Sequence, residues 1–166
     1  MQKFKMVNHS KRIELLGMKY LGFWLTMFSL MVLPAGILAE VGVESRKIVL
    51  GTHQPLSGPM KKYAQIGRGA SIYFQYLNDQ GGIHGRQLFL LQRDDRFKPQ
   101  RTLKLVEELV MKDRVFALFS GIGTETSESA MPLLKSQGVP HFFIGSNARR
   151  FTEPPSCLLY TSDAAD

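Results

Sequence analysis

Apolar residues between positions 47 and 144 alternate between short continuous runs and longer segments with helical spacing. The short runs are rich in β-branched and aromatic residues, which is typical of buried strands. The longer segments place apolar residues three or four positions apart, as one face of a helix requires. The predicted strands are residues 47–51, 87–94, 115–119 and 141–144, and the predicted helices are residues 66–80, 102–112 and 126–137.

Each predicted helix has one apolar face, which we expect to be buried. The residues expected on these faces are Ile66, Ala70, Tyr73, Phe74 and Leu77 in the first helix, Leu103, Val106, Leu109 and Val110 in the second, and Ala130, Leu133 and Leu134 in the third. Strands that are apolar on both faces and alternate with such helices predict an α/β fold with a doubly wound parallel sheet. Ligands of such sheets bind outside the carboxyl ends of the strands.

The segment Gly121-Ile-Gly-Thr-Glu-Thr follows the third predicted strand and opens the third helix. Unpaired N–H groups at a helix start bind anions. A dinucleotide is disfavoured, because Thr126 replaces the third glycine, Glu125 would face the pyrophosphate, and no acidic residue ends the next strand. The hydroxyls of Thr124 and Thr126 suit a small carboxylate. The alternative is that Thr124 only caps the helix.

Patterns for catalysis or metal binding are weak. The chain has no Gly-x-Ser-x-Gly nucleophile turn and no phosphate-binding Gly-x-x-x-x-Gly-Lys loop. Asp94 and Asp95 could bind a metal or serve as a phospho-acceptor, but a loop pair that caps the next helix, or that meets Arg93 or Arg101, is the favoured interpretation. The histidines show no metal-ligand spacing; they are His9, His53, His84 and His141. We therefore expect no metal, no cofactor and no enzymatic activity.

The net charge of +7 is concentrated at the N-terminus of the 166-residue chain. Residues 1–39 contain five basic residues and one acidic residue, a net charge of +4, which leaves +3 scattered over the rest. A scattered excess without interleaved aromatic residues does not favour nucleic-acid binding. The length allows one domain at most, or part of a larger one.

Residues 1–39 have the order of a secretory signal: basic residues, then the uncharged segment 20–39, then Ala39 as a small residue before a cleavage site. The alternative is an uncleaved membrane anchor, because the apolar run approaches the length of a spanning helix. Either hypothesis predicts that the rest of the chain lies outside the cytoplasm, in the periplasm. The single cysteine, Cys157, excludes an internal disulfide.

Several stretches together resemble the class I periplasmic substrate-binding proteins, most closely those of branched-chain amino-acid ABC transporters. They are "IVLGTHQPLSGP", "YFQYLNDQGGIHGRQL", "RDDRFKP", "ALFSGIGTETSESAMPLLKSQGVPHFF" and "FIGSNARRFTEP". The resemblance implies two lobes that close on an amino acid or related small carboxylate, and a membrane permease as partner. Residues 40–155 would be most of the first lobe.

The resemblance also implies the ligand-binding residues. Thr124 matches the hydroxyl residue that holds the ligand carboxylate, with Gly123 and Thr126 beside it, and Tyr63 matches an aromatic residue of the cleft. Residues 145–149 match a further ligand-binding segment, from which we take Ser146, Asn147 and Arg149. Arg149 replaces a usual Thr or Ser, which suggests a ligand with an extra acidic group. The alternative is that Arg149 points to solvent beside Arg150, or pairs with Glu125, and says nothing about the ligand. Phe97 and Gly123 stand where some relatives have disulfide-forming cysteines.

Residues 156–166 depart from this resemblance, and we expect an artefactual or disordered tail that does not pack on the domain. The resemblance implies the substrate-binding component of an ABC transporter. Two alternatives stay open: a membrane-anchored ligand-sensing domain that keeps residues 20–39 as its anchor, and an exported α/β enzyme.

Overall fold

A five-stranded parallel sheet is the centre of the fold in this computed structural model, which describes residues 40–160. These residues belong to the compact unit Ala39–Asp166, and the other unit, Met1–Leu38, lies outside the described residues. The strands are β1 (Lys47–Gln54), β2 (Gln87–Asp94), β3 (Ala117–Phe119), β4 (His141–Phe142) and β5 (Leu159–Tyr160). The helices are α1 (Ala64–Asp79), α2 (Pro99–Met111) and α3 (Thr124–Gln137), with short 3-10 turns at Lys61–Tyr63 and Arg149–Phe151.

The strand order is β2-β1-β3-β4-β5, and every pair of neighbouring strands is parallel. Adjacent residues of β1 face opposite sides of the sheet. Val49 packs with the core cluster of α2 and α3, whereas Leu50 packs with Phe74 of α1. Helices therefore cover both faces, and the predicted α/β fold with a parallel sheet is confirmed.

Several elements extend beyond their predicted limits because polar residues take part in them. The strand β1 continues through Thr52, His53 and Gln54, and all three side chains are fully buried. Apolar periodicity cannot detect a strand end that is polar and buried. The helix α2 begins at Pro99, whose fixed φ suits the first turn of a helix.

The predicted buried face of α1 is wrong at Ile66 and Tyr73, which are 46% and 58% exposed. The helix instead buries Ala64, Gly67 and Phe74. A Cβ atom on Gly67 would lie 2.8 Å from the side-chain oxygen of Gln92 in β2, so the helix approaches the sheet along its glycine. This close approach rotates Ile66 and Tyr73 away from the core.

The structure also differs from expectation at the C-terminal tail. Leu159 and Tyr160 form β5 beside β4, and the amide of His141 donates to the carbonyl of Leu158 at 2.8 Å. The open edge of β4 offers unpaired backbone groups, which an extended segment satisfies whatever its sequence. The expectations for residues 1–39 and 161–166 lie outside the described residues. Within residues 40–160, no helix is long and apolar enough to cross a membrane.

Two leucines of α2 provide a matched test of the core. Leu109 is fully buried, whereas Leu103, predicted on the same face, is 40% exposed. We expect Leu109→Ala to lower the free energy of unfolding by about 2–5 kcal/mol, because it leaves a cavity. Leu103→Ala should cost less than about 1 kcal/mol. Urea unfolding of both variants checks this, and equal losses would contradict the described packing.

Candidate functional site

A cavity of about 400 Å³ lies at the carboxyl ends of the strands, where four loops meet. These loops follow β1, β2, β3 and β4, so the sheet itself brings distant parts of the sequence together. The residues that line the cavity are Met60, Tyr63, Ile66, Phe97, Ile122, Gly123, Thr124, Gly145, Ser146 and Asn147.

The polar side of the cavity centres on two hydroxyl groups. The Oγ1 atom of Thr124 and the Oγ atom of Ser146 lie 2.6 Å apart, and Ser146 Oγ accepts a hydrogen bond from the amide of Ala148. Thr124 is the first residue of α3, and no side chain caps this helix. The alternative that Thr124 is only a capping residue is therefore wrong. The uncapped first turn adds N–H donors, which favour an anionic group.

Backbone hydrogen bonds tie the two polar loops to each other. The amide of Gly123 donates to the carbonyl of Gly145 at 3.2 Å, and the amide of Gly145 donates to the carbonyl of Gly121 at 2.8 Å. Gly123 has a φ of +101°, which glycine adopts readily and other residues rarely do. The ladder between β3 and β4 thus continues into the cavity wall and holds Thr124 beside Ser146.

The apolar side of the cavity includes Phe97, in the loop after β2. Arg96 and Phe97 have φ values of +52° and +58°, which are uncommon for residues with a side chain. Their amides donate to the carboxylates of Asp94 and Asp95, at 3.1 and 2.8 Å, and these bonds hold the loop in its conformation. The Phe97 ring packs against Gly123, at 2.6 Å from where a Cβ atom would lie.

Asp94 fixes the loop after β1. Its carboxylate accepts hydrogen bonds from the hydroxyl of Ser57 at 2.6 Å and from the amide of Ser57 at 3.1 Å. Burial would raise the pKa of Asp94, but these bonds and that from the Arg96 amide outweigh it and hold the pKa below its usual 3.8. Asp94 is therefore ionised at neutral pH and anchors the Leu-Ser-Gly-Pro loop that leads to Tyr63.

The sequence predicts that Asp94 and Asp95 cap the next helix or meet Arg93 or Arg101, and of these contacts only the one between Arg101 and Asp94 is present. Arg101 donates to the backbone carbonyl of Asp94, whereas Arg93 pairs with Asp113. Asp95 accepts from Thr102 of α2, not from a backbone amide of that helix. Among residues 40–160, no group of three potential metal ligands is arranged to hold an ion.

The structure also aligns Ser127, His53 and Asp95, which the sequence analysis did not connect. His53 Nδ1 lies 2.9 Å from Asp95 Oδ2, and Ser127 Oγ lies 3.4 Å from His53 Nε2. The order resembles a nucleophile, base and acid. All three side chains are fully buried, so no substrate can reach the hydroxyl. We therefore assign the group a structural role.

Five of the seven residues proposed for ligand binding line the cavity: Tyr63, Gly123, Thr124, Ser146 and Asn147. Thr126 is buried instead, and its hydroxyl donates to the carbonyl of Ile122 at 2.5 Å. Arg149 is exposed in a 3-10 turn and does not line the cavity. Sequence reasoning missed the apolar lining residues Met60, Ile66, Phe97 and Ile122. Three of them lie in loops after a strand, whereas Ile66 lies in α1, where its spacing predicted a place in the core.

Gly123 gives a test of the cavity wall. A Cβ atom there would lie 2.5 Å from Thr126 Oγ1 and 2.6 Å from the Phe97 ring. We expect Gly123→Ala to cost at least about 2 kcal/mol of unfolding free energy, from the strained φ and the collision together. Gly85→Ala is the control, because its φ is +77° but its surroundings are open. Its cost should be about 1 kcal/mol. If thermal unfolding shows the same loss of unfolding free energy in both variants, the collision at Gly123 contributes nothing.

Known proteins resemble this chain in sequence and in architecture. The Leu/Ile/Val-binding protein homolog 7 of Brucella suis is 26% identical over 120 residues, which cover 72% of this chain and 30% of that protein. An amino acid binding protein of Pseudomonas aeruginosa is 27% identical over 130 residues, covering 78% and 33%. The crystal structure of a substrate-binding periplasmic protein from Ralstonia solanacearum superposes with a TM-score of 0.64 at 29% identity, covering 69% and 33%.

The chain spans about a third of the length of the relatives it matches. Residues 47–166 match the family model described as periplasmic binding protein, which is well over half of the chain. The parallel sheet, the cavity at its carboxyl end and this match lead to one conclusion: the chain belongs to the periplasmic binding protein family.

Proposed function

We propose that this chain is the first lobe of the extracytoplasmic substrate-binding component of an ABC transporter, and that it binds an amino acid or related small carboxylate. The paired hydroxyls of Thr124 and Ser146, beside the uncapped start of α3, carry the proposal. Neutral donors at a helix start hold a carboxylate without a counter-charge. The names of the Brucella and Pseudomonas relatives support an amino acid as the ligand.

No charged side chain lines the cavity among the described residues. The carboxylate of an amino acid would be held by hydroxyl and N–H donors, and its side chain would contact Phe97, Ile66 and Met60. An anionic partner for the ammonium group would come from the second lobe that closes over the cleft. A single lobe leaves most of the ligand in water, so its affinity is low.

The proposal gives Arg149 no contact with a neutral ligand. Its guanidinium lies outside the cavity, and its neighbour Arg150 pairs with Glu128 at 2.6 Å. A dicarboxylate is the ligand class for which an arginine at the cleft mouth would matter, because its fork can hold a second carboxylate. A comparison of glutamate with leucine therefore tests the role of Arg149.

We expect weak binding of leucine, with a dissociation constant of about 1 mM or higher, equivalent to roughly −4 kcal/mol. In NMR titrations of the ¹⁵N-labelled chain, leucine should shift the amides of Gly123, Thr124 and Ser146. Combined Thr124→Ala and Ser146→Ala substitutions should abolish these shifts, because the hydroxyl pair is lost.

Ser136→Ala is the matched control, since this exposed hydroxyl bonds only within α3. Arg149→Thr should leave the leucine shifts unchanged, and a loss confined to glutamate would instead assign the second carboxylate to Arg149. Shifts that avoid the cavity would contradict the proposed site. Micromolar affinity of the chain for leucine would contradict the two-lobe argument.

The export hypothesis is also part of this proposal. If residues 1–39 are a signal peptide, mass spectrometry of the exported protein should find a mature N-terminus at or near Glu40. An N-terminus that retains residues 20–39 would favour the alternative of a membrane-anchored sensing domain. In either case the partner in the membrane would be recognised by the complete protein.

A further inference from the structure

Two histidines from different strands meet beneath the ligand loops. His53 lies near the end of β1 and His141 begins β4, and both side chains are fully buried. Their ring centroids are 5.8 Å apart with an angle of 70° between the planes. The sequence gives no indication of this pair, because 88 positions separate the two residues.

The pair supports the turn of residues 121–124. A Cβ atom on Gly121 would collide with Nε2 of His53 and would lie 2.7 Å from Nε2 of His141. The main chain of Gly121 therefore packs against the Nε2 edge of both rings. Because the carbonyl of Gly121 accepts from the amide of Gly145, the same support extends to the loop that carries Ser146.

Of the two imidazoles, only that of His53 bonds a carboxyl group in the described part of the chain, and that group belongs to Asp95. Asp95 bonds His53 Nδ1, the hydroxyl of Thr102 and the amide of Phe97, so it is fully used on the His53 side. Neither ring nitrogen of His141 has a hydrogen-bond partner among residues 40–160. The group on α3 that faces the pair is the neutral hydroxyl of Ser127.

The titratable group that faces His141 is His53, whose ring centroid lies 5.8 Å away. The strand partners of His141 are Leu118 in β3 and Leu159 in β5, which carry no charge. Burial, and then the charge on His53, hold the pKa of His141 well below its usual 6.5. A proton on His141 in this position would be a buried charge without a counter-ion, which is strongly unfavourable.

We propose that the His53–His141 pair is a proton-sensitive support for the ligand loops, which releases the turn of residues 121–124 when acid protonates His141. Protonation requires His141 to reach water, and the turn above it has to move to let water in. The expected consequence for ligand affinity, a loss in acid, rests on the proposed function. The movement of the turn does not.

The sign of the pH dependence follows from the lowered pKa of His141. Below about pH 6.5 an opened form binds a proton that the closed form does not. The opening equilibrium therefore increases as the pH falls, by up to tenfold per pH unit for one proton. Above about pH 7 neither form binds this proton, and the equilibrium is independent of pH.

Amide hydrogen exchange of the full chain between pH 7.5 and 5 tests the proposal. The reporters are the amides of Gly123 and Gly145, which bond across the turn, and the reference is the amide of Phe116, just before β3, which donates to the carbonyl of Val49. After correction for intrinsic exchange, protection of Gly123 and Gly145 should fall by up to tenfold per pH unit below about pH 6.5. This fall should exceed that of Phe116.

His141→Phe should remove this pH dependence, and His141→Asn is the second variant if the larger ring does not fit. His84→Asn is the control, because His84 is exposed and its φ of +49° suits asparagine. It should behave like the unchanged chain. A pH dependence of exchange that persists in a His141 variant, or that is equally large at the Phe116 amide, would overturn the proposal.

If both His141 variants unfold, an NMR titration of the histidine ring resonances in the unchanged chain tests the proposal instead. We expect His141 to stay neutral at pH 6 and to protonate at lower pH together with a shift of the Gly121 amide. Protonation at an ordinary pH of about 6.5, without a shift at Gly121, would overturn the proposal. Leucine serves as the probe for binding: if it binds at no pH, the proposed function fails while the exchange result still stands.

Discussion

Two adjacent carboxylates at the end of β2 determine the shape of the candidate site. Asp94 holds the loop after β1 through Ser57, and Asp95 holds the end of β1 through His53. Both also accept the backbone amides of their own loop and so stabilise consecutive left-handed residues that place Phe97 at the cavity. A parallel sheet sets only the strand ends beside one another, and hydrogen bonds of this kind arrange the loops that follow.

The second constraint is the close approach of the glycine turn to the core. Gly121 rests on two buried imidazoles, and Gly123 rests on the ring of Phe97. Side chains at either position would push the start of α3 away from residues 145–147. The distance of 2.6 Å between the hydroxyls of Thr124 and Ser146 therefore depends on two missing Cβ atoms. The site is polar at its surface, but buried packing fixes its geometry.

Periodicity and turn residues were sufficient for the fold class, because three helices and four of the five strands carry clear apolar patterns. They failed where polar groups are buried or where a glycine lets elements approach closely. The end of β1 is polar because it joins a buried network, and α1 turns Gly67 to the sheet and Ile66 to the cavity. The strand β5 forms on an open edge and needs no apolar pattern of its own.

The same limits apply to the candidate site. Thr124 and Gly123 could be identified because a glycine turn before a helix is a local feature with a known preference for anions. The apolar wall of Met60, Ile66 and Phe97 could not, because these side chains come from a loop, a helix and the loop after another strand. Likewise, the pairing of His53 with His141 depends on β1 and β4 lying on either side of β3. Such contacts are properties of the strand order, which local sequence does not encode.

Under the proposed function, the uncharged cavity wall formed by the described residues has a consequence for how the two lobes of a complete protein would share the ligand. Hydroxyl and N–H donors bind a carboxylate while it remains partly hydrated, since they gain little until water is removed. The gain increases when a second lobe closes and lowers the local dielectric constant. Under the proposed function, such a lobe would take up and release its ligand while open and would hold it firmly only when closed. Under the proposed function, weak binding by the isolated lobe would be a property of the mechanism, because closure of the second lobe would supply the affinity.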